Sequence, residues 1–427
     1  MYVSESRGST PVVTAPTARG MFPGRSAVTH TVLALGAVSL ITDVSSEMVT
    51  AVLPLYLVTG LGLSPLGFGL LDGVYNGFSA LVRLVGGHLA DRGGRHKQVA
   101  ALGYGLSALC KPLLLVVQTL PLIGAVLAVD RTGKGLRTAP RDAMISLSAT
   151  EENRGRAFGV HRAMDTAGAL LGPLVAFLIL RRAAEGYHAV FTVSFCVAVL
   201  GVLVLVLFVP SRATGPDTSK QSAQRPSLRA AVGLLGRREL RGLTLCAVAL
   251  GLATVSDSFV YLMLQRRLGV PDRWFALLPL GTAAAFLLLA VPLGRWADRV
   301  GRWRVFVGGH FALLVAYGLM LSHLRAGVLP YLVLALHGTF YAATDGVLMA
   351  AATGSVPAAL RSSGLALVQT GQAAARFVCS LAFGAAWTAW GDRSALTGAA
   401  LALMVSVALS LRLRPASQSG ARRGADG

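Results

Sequence analysis

The sequence predicts an all-α membrane protein built from two six-helix bundles, which are related by a pseudo-twofold axis along the membrane normal. Three observations carry this prediction: an apolar composition, long apolar segments at regular intervals, and a charged motif that occurs twice. The chain is 54% hydrophobic and only 14% charged, with a mean hydropathy of +0.63. So little polar surface cannot cover a water-soluble core, and we expect most of the chain to lie in a bilayer.

Apolar segments long enough to cross a bilayer recur along the whole chain. Each must contain about 20 residues to span ~30 Å of hydrocarbon. Short polar turns, or turns marked by Gly and Pro, separate them. The pattern predicts twelve membrane-spanning helices, at residues 31–59, 66–90, 96–118, 121–148, 157–180, 187–209, 241–266, 272–297, 303–323, 327–353, 362–387 and 393–412.

The net charge of +20 indicates a membrane topology and no nucleic-acid partner. With both termini in the cytoplasm, the cytoplasmic loops and tails hold far more Lys and Arg than the opposite loops, as the positive-inside rule requires. The first residues lack the apolar core and cleavage pattern of a signal peptide. We expect a cytoplasmic tail, a first bundle, a Ser-, Pro- and Arg-rich cytoplasmic linker, a second bundle and a second cytoplasmic tail, at residues 1–28, 29–210, 211–240, 241–412 and 413–427.

A charged motif follows the second span and occurs again after the eighth. The copies are GHLADRGGRHK, from Gly87 to Lys97, and GRWADRVGRWR, from Gly294 to Arg304. Because each copy lies at the same point of a six-span half and on the same side, the halves are predicted to be parallel repeats. The identical pairs are Gly87 and Gly294, Ala90 and Ala297, Asp91 and Asp298, Arg92 and Arg299, Gly94 and Gly301, and Arg95 and Arg302.

This motif resembles the loop between spans two and three in 12-helix transporters of the major facilitator superfamily. The first copy departs from the family pattern only at His96, before Lys97. The resemblance implies the major facilitator fold and a gating role for the loop on the cytoplasmic side. Asp142, near the end of span four, is expected to pair with Arg95, similar to the gate network of the family. The resemblance implies gating by Gly87, Asp91, Arg92, Gly94, Arg95, Asp142, Gly294, Asp298, Arg299, Gly301 and Arg302.

The fifth span resembles that of the drug/proton antiporters within the superfamily. GVHRAMDTAGALLGPL contains Gly159, Gly168, Gly172 and Pro173 at the family spacing, but the closing glycine pair of the pattern is missing. The glycines are expected to let this helix pack closely against a helix of the other bundle, and Pro173 to kink it. The resemblance favours export.

Span four carries an unusual density of charge in VDRTGKGLRTAPRDAM, from Val129 to Met144. The stretch does not fit a phosphate-binding loop, because Ala128 and Gly135 occupy positions that need Gly and Ser or Thr. On a helix, its six charged residues fall within an arc of roughly 140°, as expected of a helix that lines a water-filled cavity. An ionisable residue at the centre of a membrane helix costs about 2.5 to 3.5 kcal/mol and usually marks a transport path.

Charged residues of the predicted spans are the candidate site. Most of them lie in the first half, where acids and bases are nearly balanced, so pairing between them is as consistent with the sequence as a positive cavity. Burial favours a protonated carboxyl and a nearby Arg or Lys favours an ionised one, which lets protonation follow conformation. The proton-coupling candidates are Asp43, Glu47, Asp130 and Asp165, and the substrate-binding candidates are Arg131, Lys134, Arg137, Asp257 and Asp345.

The predicted function is secondary active transport of a small molecule by alternating access, as proton-coupled efflux. The alternative is proton-coupled uptake or exchange of a small organic or phosphorylated anion, and a more remote one is a sensor on a transporter fold. A membrane-embedded enzyme would need a metal-binding acid cluster or a reactive Ser/His pair, and the sequence has neither. High Ala, Gly and Arg usage indicates a GC-rich bacterial source, which predicts the inner membrane.

The cysteines indicate no further chemistry. They lie in predicted spans, without metal-ligand or Cys-x-x-Cys spacing, and are Cys110, Cys196, Cys246 and Cys379. We expect no disulfide, metal or cofactor. The expected partners are the transported molecule, protons and lipid, and the protein is expected to be a monomer.

Overall fold

The computed structural model describes residues 29–76, 96–150, 153–183, 186–210, 236, 238–324, 327–354 and 361–412. All regular structure in these segments is helical. The first half comprises α1 (His30–Leu55), α2 (helical over 65–76), α3 (His96–Val116), α4 (Leu120–Leu147), α5 (Arg154–Leu180) and α6 (Gly186–Phe208).

The second half begins at α7 and differs from the predicted spans in where its helices break. The seventh predicted span forms two helices, the eighth begins with a short separate turn, and the last two run together across a break at Gly391 (φ 82°). The elements are α7 (Arg238–Ala253), α8 (Asp257–Leu268), α9 (Asp272–Phe275), α10 (Leu278–Val300), α11 (Arg302–Leu321), α12 (Leu329–Gly354) and α13 (Arg361–Arg412).

Within the described residues, eight helical segments are long and apolar enough to cross a membrane. Helix α4 is not among them, although a predicted span matches it. It spans Leu120–Leu147 but carries the charged stretch of span four. A helix with so many ionisable groups needs partners on its neighbours to be stable in a bilayer.

Helix α1 lies at the centre of the first half and packs against α5 and α6. The Ser45 and Ser194 hydroxyls hydrogen-bond across the α1–α6 contact, with their oxygens 2.9 Å apart. On the α5 side, a Cβ at Gly168 would lie 2.5 Å from the Leu40 carbonyl oxygen, and a Cβ at Gly172 would lie 2.9 Å from that of Val44. Only glycine allows the two backbones to approach so closely.

This contact corrects the prediction for the fifth span. Gly168 and Gly172 pack α5 against α1 of its own half, and not against a helix of the other half. Gly159 has open space around its Cα, and Pro173 is buried in the wall of the central cavity. The spacing of glycines predicts a close helix contact, but it does not say which neighbour provides it.

The break between α7 and α8 is stabilised by side chains of the same half. Between the helices, the Val255 N–H donates to the Tyr317 hydroxyl (2.8 Å), and the Cys379 thiol donates to the Thr254 carbonyl (3.2 Å). Backbone groups inside a membrane must be satisfied by protein, and these bonds replace those the helix gives up. Asp257 therefore lies at the N-terminus of a helix within the membrane region, where the helix dipole favours negative charge.

The two halves meet at one end of the bundle, which we call the distal face; it contains the turn at residues 61–64. Helices α2 and α13 cross there with their backbones in direct contact. A Cβ at Gly69 would lie 2.5 Å from the Ser380 carbonyl oxygen, and one at Gly384 would lie 2.5 Å from that of Pro65. The Leu66 N–H also donates to the Thr388 hydroxyl (2.9 Å). These contacts close the distal face between the halves.

Candidate functional site

A cavity of about 420 Å³ lies between the two halves. The cavity lies next to the distal contacts, on the side away from the distal face. Its α13 residue, Arg376, precedes Ser380 by one turn, and its α2 residues, Tyr75 and Asn76, follow Asp72. Its size is that of pockets which hold small organic molecules. Its polar lining comprises Glu47, Thr50, Tyr75, Asn76, Thr254, Ser256, Asp257, Ser258, Tyr261, Thr282, Tyr341, Asp345 and Arg376, and its apolar lining includes Pro54, Leu170, Pro173, Leu280 and Phe286.

Acidic groups outnumber basic ones on the cavity wall. Glu47 from the first half and Asp257 and Asp345 from the second face one cation, Arg376. Histidine does not occur among the described lining residues. The remaining surface is mainly apolar and aromatic. Such a wall suits an amphipathic molecule that is neutral or positively charged.

Asp257 is held in a specific arrangement on the second-half wall. Its Oδ1 accepts a hydrogen bond from the Tyr341 hydroxyl (2.5 Å), and the Nε2 of His337 lies 3.4 Å from the same oxygen. His337 is fully buried, whereas the Asp257 side chain is 43% exposed, so the carboxylate can contact both the buried ring and a molecule in the cavity.

The acids of α1 pair with cations of α4. Arg137 contacts Asp43 at 3.3 Å, and the Arg137 side chain is only 3% exposed. One turn along, Lys134 lies 3.7 Å from Glu47, and both side chains of this pair are partly exposed. The four-residue spacing on α1 matches the three-residue spacing on α4, so two parallel ion pairs join the helices.

A second cluster surrounds Asp130. Arg131 bonds its carboxylate at 2.6 Å, the Ser107 hydroxyl donates to it at 2.5 Å, and the Lys111 amine lies 3.9 Å away. The Tyr75 ring lies over the Arg131 guanidinium at 3.8 Å, in cation–π geometry. Tyr75 also lines the central cavity, so its ring separates this cluster from the cavity.

Close helix packing brings this cluster together. A Cβ at Gly133 would lie 2.5 Å from the Gly103 carbonyl oxygen, and one at Gly103 would lie 2.6 Å from that of Gly133. This reciprocal contact between α3 and α4 places Ser107 and Lys111 beside Asp130, which lies one turn from Gly133.

The end of α4 forms a third group of ion pairs. Arg141 contacts Asp142 at 3.1 Å and Asp165 of α5 at 3.5 Å, and Arg162 lies 3.7 Å from Asp165. Asp142 thus pairs with its neighbour Arg141; the expected partner, Arg95, lies outside the described residues.

The two copies of the gating motif differ in what the structure describes. Gly87, Asp91, Arg92, Gly94 and Arg95 lie outside the described residues. In the second copy, Arg302 contacts Asp298 at 3.1 Å on an exposed surface, and Gly301 has φ 109°, between α10 and α11. Gly294 and Arg299 lie in α10.

The structure divides the predicted site residues into two sets. Glu47, Asp257 and Asp345 line the cavity, whereas Asp43, Asp130, Asp165, Arg131, Lys134 and Arg137 form ion pairs around it. The charged face of α4 therefore contacts acids of α1 and α5, and does not line the cavity as the helical arc suggested. The near balance of charge in the sequence was the signal for this pairing.

Several cavity residues were not among the predicted site residues. Tyr75, Tyr341, His337 and Arg376 contact or line the site. Arg376 could have been identified as a site residue from the sequence, because it is an isolated cation within an apolar span. Tyrosine and histidine in membrane helices give no comparable signal, since they also occur as ordinary packing residues.

Sequence comparisons show relatives along most of the chain. Residues 35–380 match the profile of the Major Facilitator Superfamily. An MFS-type transporter of Methanocaldococcus jannaschii is 28% identical over 387 residues, which cover 88% of this chain and 93% of the relative. The multidrug resistance protein MdtG of Citrobacter koseri is 26% identical over 323 residues, which cover 72% of this chain and 77% of the relative.

Solved structures share the same fold. A mutant form of the nucleoside transporter NupG superposes with a TM-score of 0.78 at 14% identity, covering 90% of this chain and 99% of that one. A bacterial homologue of the human lysosomal transporter Spinster gives a TM-score of 0.73 at 14% identity, covering 91% and 97%. At these identities the likeness concerns the fold alone.

Proposed function

Because the chain belongs to the Major Facilitator Superfamily, we propose that it is a secondary transporter that exports small amphipathic molecules in exchange for protons. The observation that carries the proposal is the central cavity, with its apolar wall and its excess of carboxylates over cations. The two halves move alternately about this cavity, as in other transporters built from repeats.

We place both termini in the cytoplasm and the protein in a bacterial inner membrane. The bias of Lys and Arg toward the loops on the side of the termini supports this orientation. The distal face then points outward, and the contacts of Gly69 and Gly384 close the outer side. In this conformation the cavity belongs to the cytoplasmic side of the cycle, which is where an exporter binds its substrate.

Glu47 is the carboxylate best placed to connect substrate and proton. It lies on the cavity wall and pairs with Lys134 at 3.7 Å. Its side chain is 27% exposed, so water and substrate can reach it. A proton on Glu47 would release Lys134, and a bound cationic group would compete with that proton, which is the exchange that antiport requires.

The relative MdtG supports export, since its name describes multidrug resistance. The alternative, uptake or exchange of a small anion, has one observation in its favour: the Arg376 guanidinium faces the cavity. Asp257 and Asp345 act electrostatically on that guanidinium, and the α4 cations are already paired. The geometry therefore favours a neutral or cationic substrate over an anion.

Transport by the purified protein in liposomes tests the proposal. Vesicles with an imposed pH gradient are offered fluorescent lipophilic cations, neutral amphipathic dyes, organic anions and phosphorylated metabolites. We expect the pH gradient to drive accumulation of amphipathic cations or neutral dyes. Glu47→Gln should remove the effect of the gradient, because the glutamine cannot exchange a proton, and should retain binding of the neutral dyes as measured by thermal stabilisation.

Asp392→Asn, outside the cavity, is the control and should transport normally. Gradient-driven transport restricted to anions, and lost in Arg376→Ala, would instead establish the uptake alternative. Binding without any transport would support the sensor.

A further inference from the structure

We propose that Asp72 is a proton-binding site at the contact between the two halves, and that its protonation allows the distal face to close. The inference rests on the proposed proton coupling and identifies a residue for it outside the predicted coupling set. Asp72 lies on α2, beside the Gly69 crossing with α13.

Asp72 differs from the other carboxylates that the structure describes in α1 to α5. Each of those has a Lys or Arg nitrogen within 4 Å: Asp43, Glu47, Asp130, Asp142 and Asp165. Asp72 is 5% exposed, and none of the described lysines or arginines forms an ion pair with it. An unpaired carboxylate at this depth is costly when ionised, and a proton removes the charge.

The hydrogen-bond partner of the Asp72 carboxyl is a hydroxyl group of the second half. Ser380 of α13 hydrogen-bonds the carboxyl, with Oγ 2.6 Å from Oδ2. Ser256 and Ser258, at the start of α8, face the same group. A hydroxyl can donate to the ionised carboxylate or accept from the protonated acid, so Ser380 can bond Asp72 in both forms, but it supplies no positive charge to balance the ionised one. The bond to Ser380 joins the two halves directly.

The charged and titratable groups around Asp72 do not replace the proton. Asp257 of α8 has the same sign as an ionised Asp72 and so cannot balance its charge. Cys379 of α13 is a buried thiol that donates to the Thr254 carbonyl. On α2, the Tyr75 hydroxyl bonds Thr50 (2.6 Å). The α13 cation nearest in sequence, Arg376, has Tyr341, Asp257 and Asp345 as its electrostatic neighbours.

Closure of the distal face buries this group. With Gly73 packed on Phe377 and Gly69 on Ser380, α2 and α13 keep bulk water away from the carboxyl and leave Asp72 only 5% exposed. When the halves separate, water reaches Asp72 and stabilises the ionised form. Protonation and closure are therefore linked: acidic solution favours the closed distal face, and alkaline solution favours the open one.

The proton has a short path to the central cavity after closure. A pocket of about 20 Å³, enough for one water, is lined by Asp72 together with Thr50, Tyr75 and Ser258. Those three residues also line the central cavity. In the export cycle, a proton taken up from outside at Asp72 closes the distal face and then leaves through this pocket.

Distances between spin labels across the distal face test the inference without any substrate. Labels are attached at Ser64→Cys and Ala389→Cys, after the native cysteines are replaced, and distance distributions are recorded from pH 5 to pH 9. With Asp72 present, raising the pH should shift the population from the short distance to a longer one. Asp72→Asn, which mimics the protonated form, should keep the short distance and lose the shift.

Two further variants keep the result interpretable. Asp392→Asn, at a carboxylate outside the central cavity, should retain the pH-driven shift. Ser380→Ala should also retain it but with less of the closed form, because the protonated carboxyl loses its partner across the halves. An unchanged pH response in Asp72→Asn would overturn the inference while leaving the proposed export intact. Absence of gradient-driven dye transport in liposomes would overturn the export proposal instead.

Discussion

The ion pair of Arg137 and Asp43 shows how single residues make a charged membrane helix stable. Arg137 is almost completely buried, contacts Asp43 at 3.3 Å, and lies 4.5 Å from the Tyr104 ring. Each charge is tolerated only with its partner, because a lone buried charge retains its full desolvation cost. The stability of α4 in the bundle therefore depends on acids supplied by other helices.

Arg137→Ala should lower the free energy of unfolding by about 3 to 5 kcal/mol, since it leaves Asp43 buried without a partner. Thermal or denaturant unfolding in detergent measures the effect. Arg162→Ala is the matched control, because its side chain is 79% exposed and its pair with Asp165 is expected to contribute about 0 to 1 kcal/mol. Equal losses in the two variants would contradict a structural role for the buried pair.

Arg131 occupies a different residue environment, between Asp130 and the Tyr75 ring. Arg131→Ala should abolish transport, although the protein should still insert into the membrane. Asp130 loses its closest cation, and the Tyr75 ring loses its cation–π contact with the guanidinium. Arg131→Lys keeps the charge but not the paired hydrogen bonds, so it should retain part of the activity. Liposome transport and membrane yield measure the two effects, and normal transport by the alanine variant would exclude this role.

At the scale of elements, helix α5 shows how glycine sets the distance between helices. Gly168 and Gly172 lie against the α1 backbone, whereas Gly159 of the same helix has open space. The same residue type thus has two different consequences along one helix. The neighbour that each glycine meets decides which of them matters for packing.

Gly168→Val should destabilise the first half by about 1 to 3 kcal/mol or more, because the new Cβ would meet the Leu40 carbonyl oxygen at 2.5 Å. The added side chain must push α5 away from α1. Gly159→Val, with nothing within 4 Å of its Cβ, is the control on the same helix and should change stability little. Thermal unfolding compares the variants, and a comparable loss at Gly159 would exclude close packing as the cause.

For the whole molecule, the contact between α2 and α13 joins the two halves at the distal face. The Gly69 and Gly384 backbones meet there, and the bond between Asp72 and Ser380 lies beside them. These contacts involve few residues, as expected for a surface that must separate in each transport cycle.

Gly384→Leu should favour conformations with an open distal face, because its side chain would occupy the place of the Pro65 carbonyl. The label pair at Ser64→Cys and Ala389→Cys should report a longer distance at every pH. Gly398→Leu, also on α13 but with open space at its Cβ, should leave the distribution unchanged. A short distance in the Gly384 variant would show that the crossing does not control closure.

The amino-acid sequence by itself determined the fold class and the family, and it identified Glu47, Asp257 and Asp345 but not Arg376 among the charged residues that line the described cavity. These follow from local properties: apolar length, repeated motifs, and the cost of charge in a membrane. The tertiary structure alone decided the partners. It placed Gly168 and Gly172 of α5 on α1, broke the seventh span at residues 254–256, paired the α4 cations with acids, and left Asp72 with the Ser380 hydroxyl instead of a cation. The reason is that a partner depends on which helix lies opposite, and residues as distant in sequence as Asp72 and Ser380 become neighbours only when the two halves pack together.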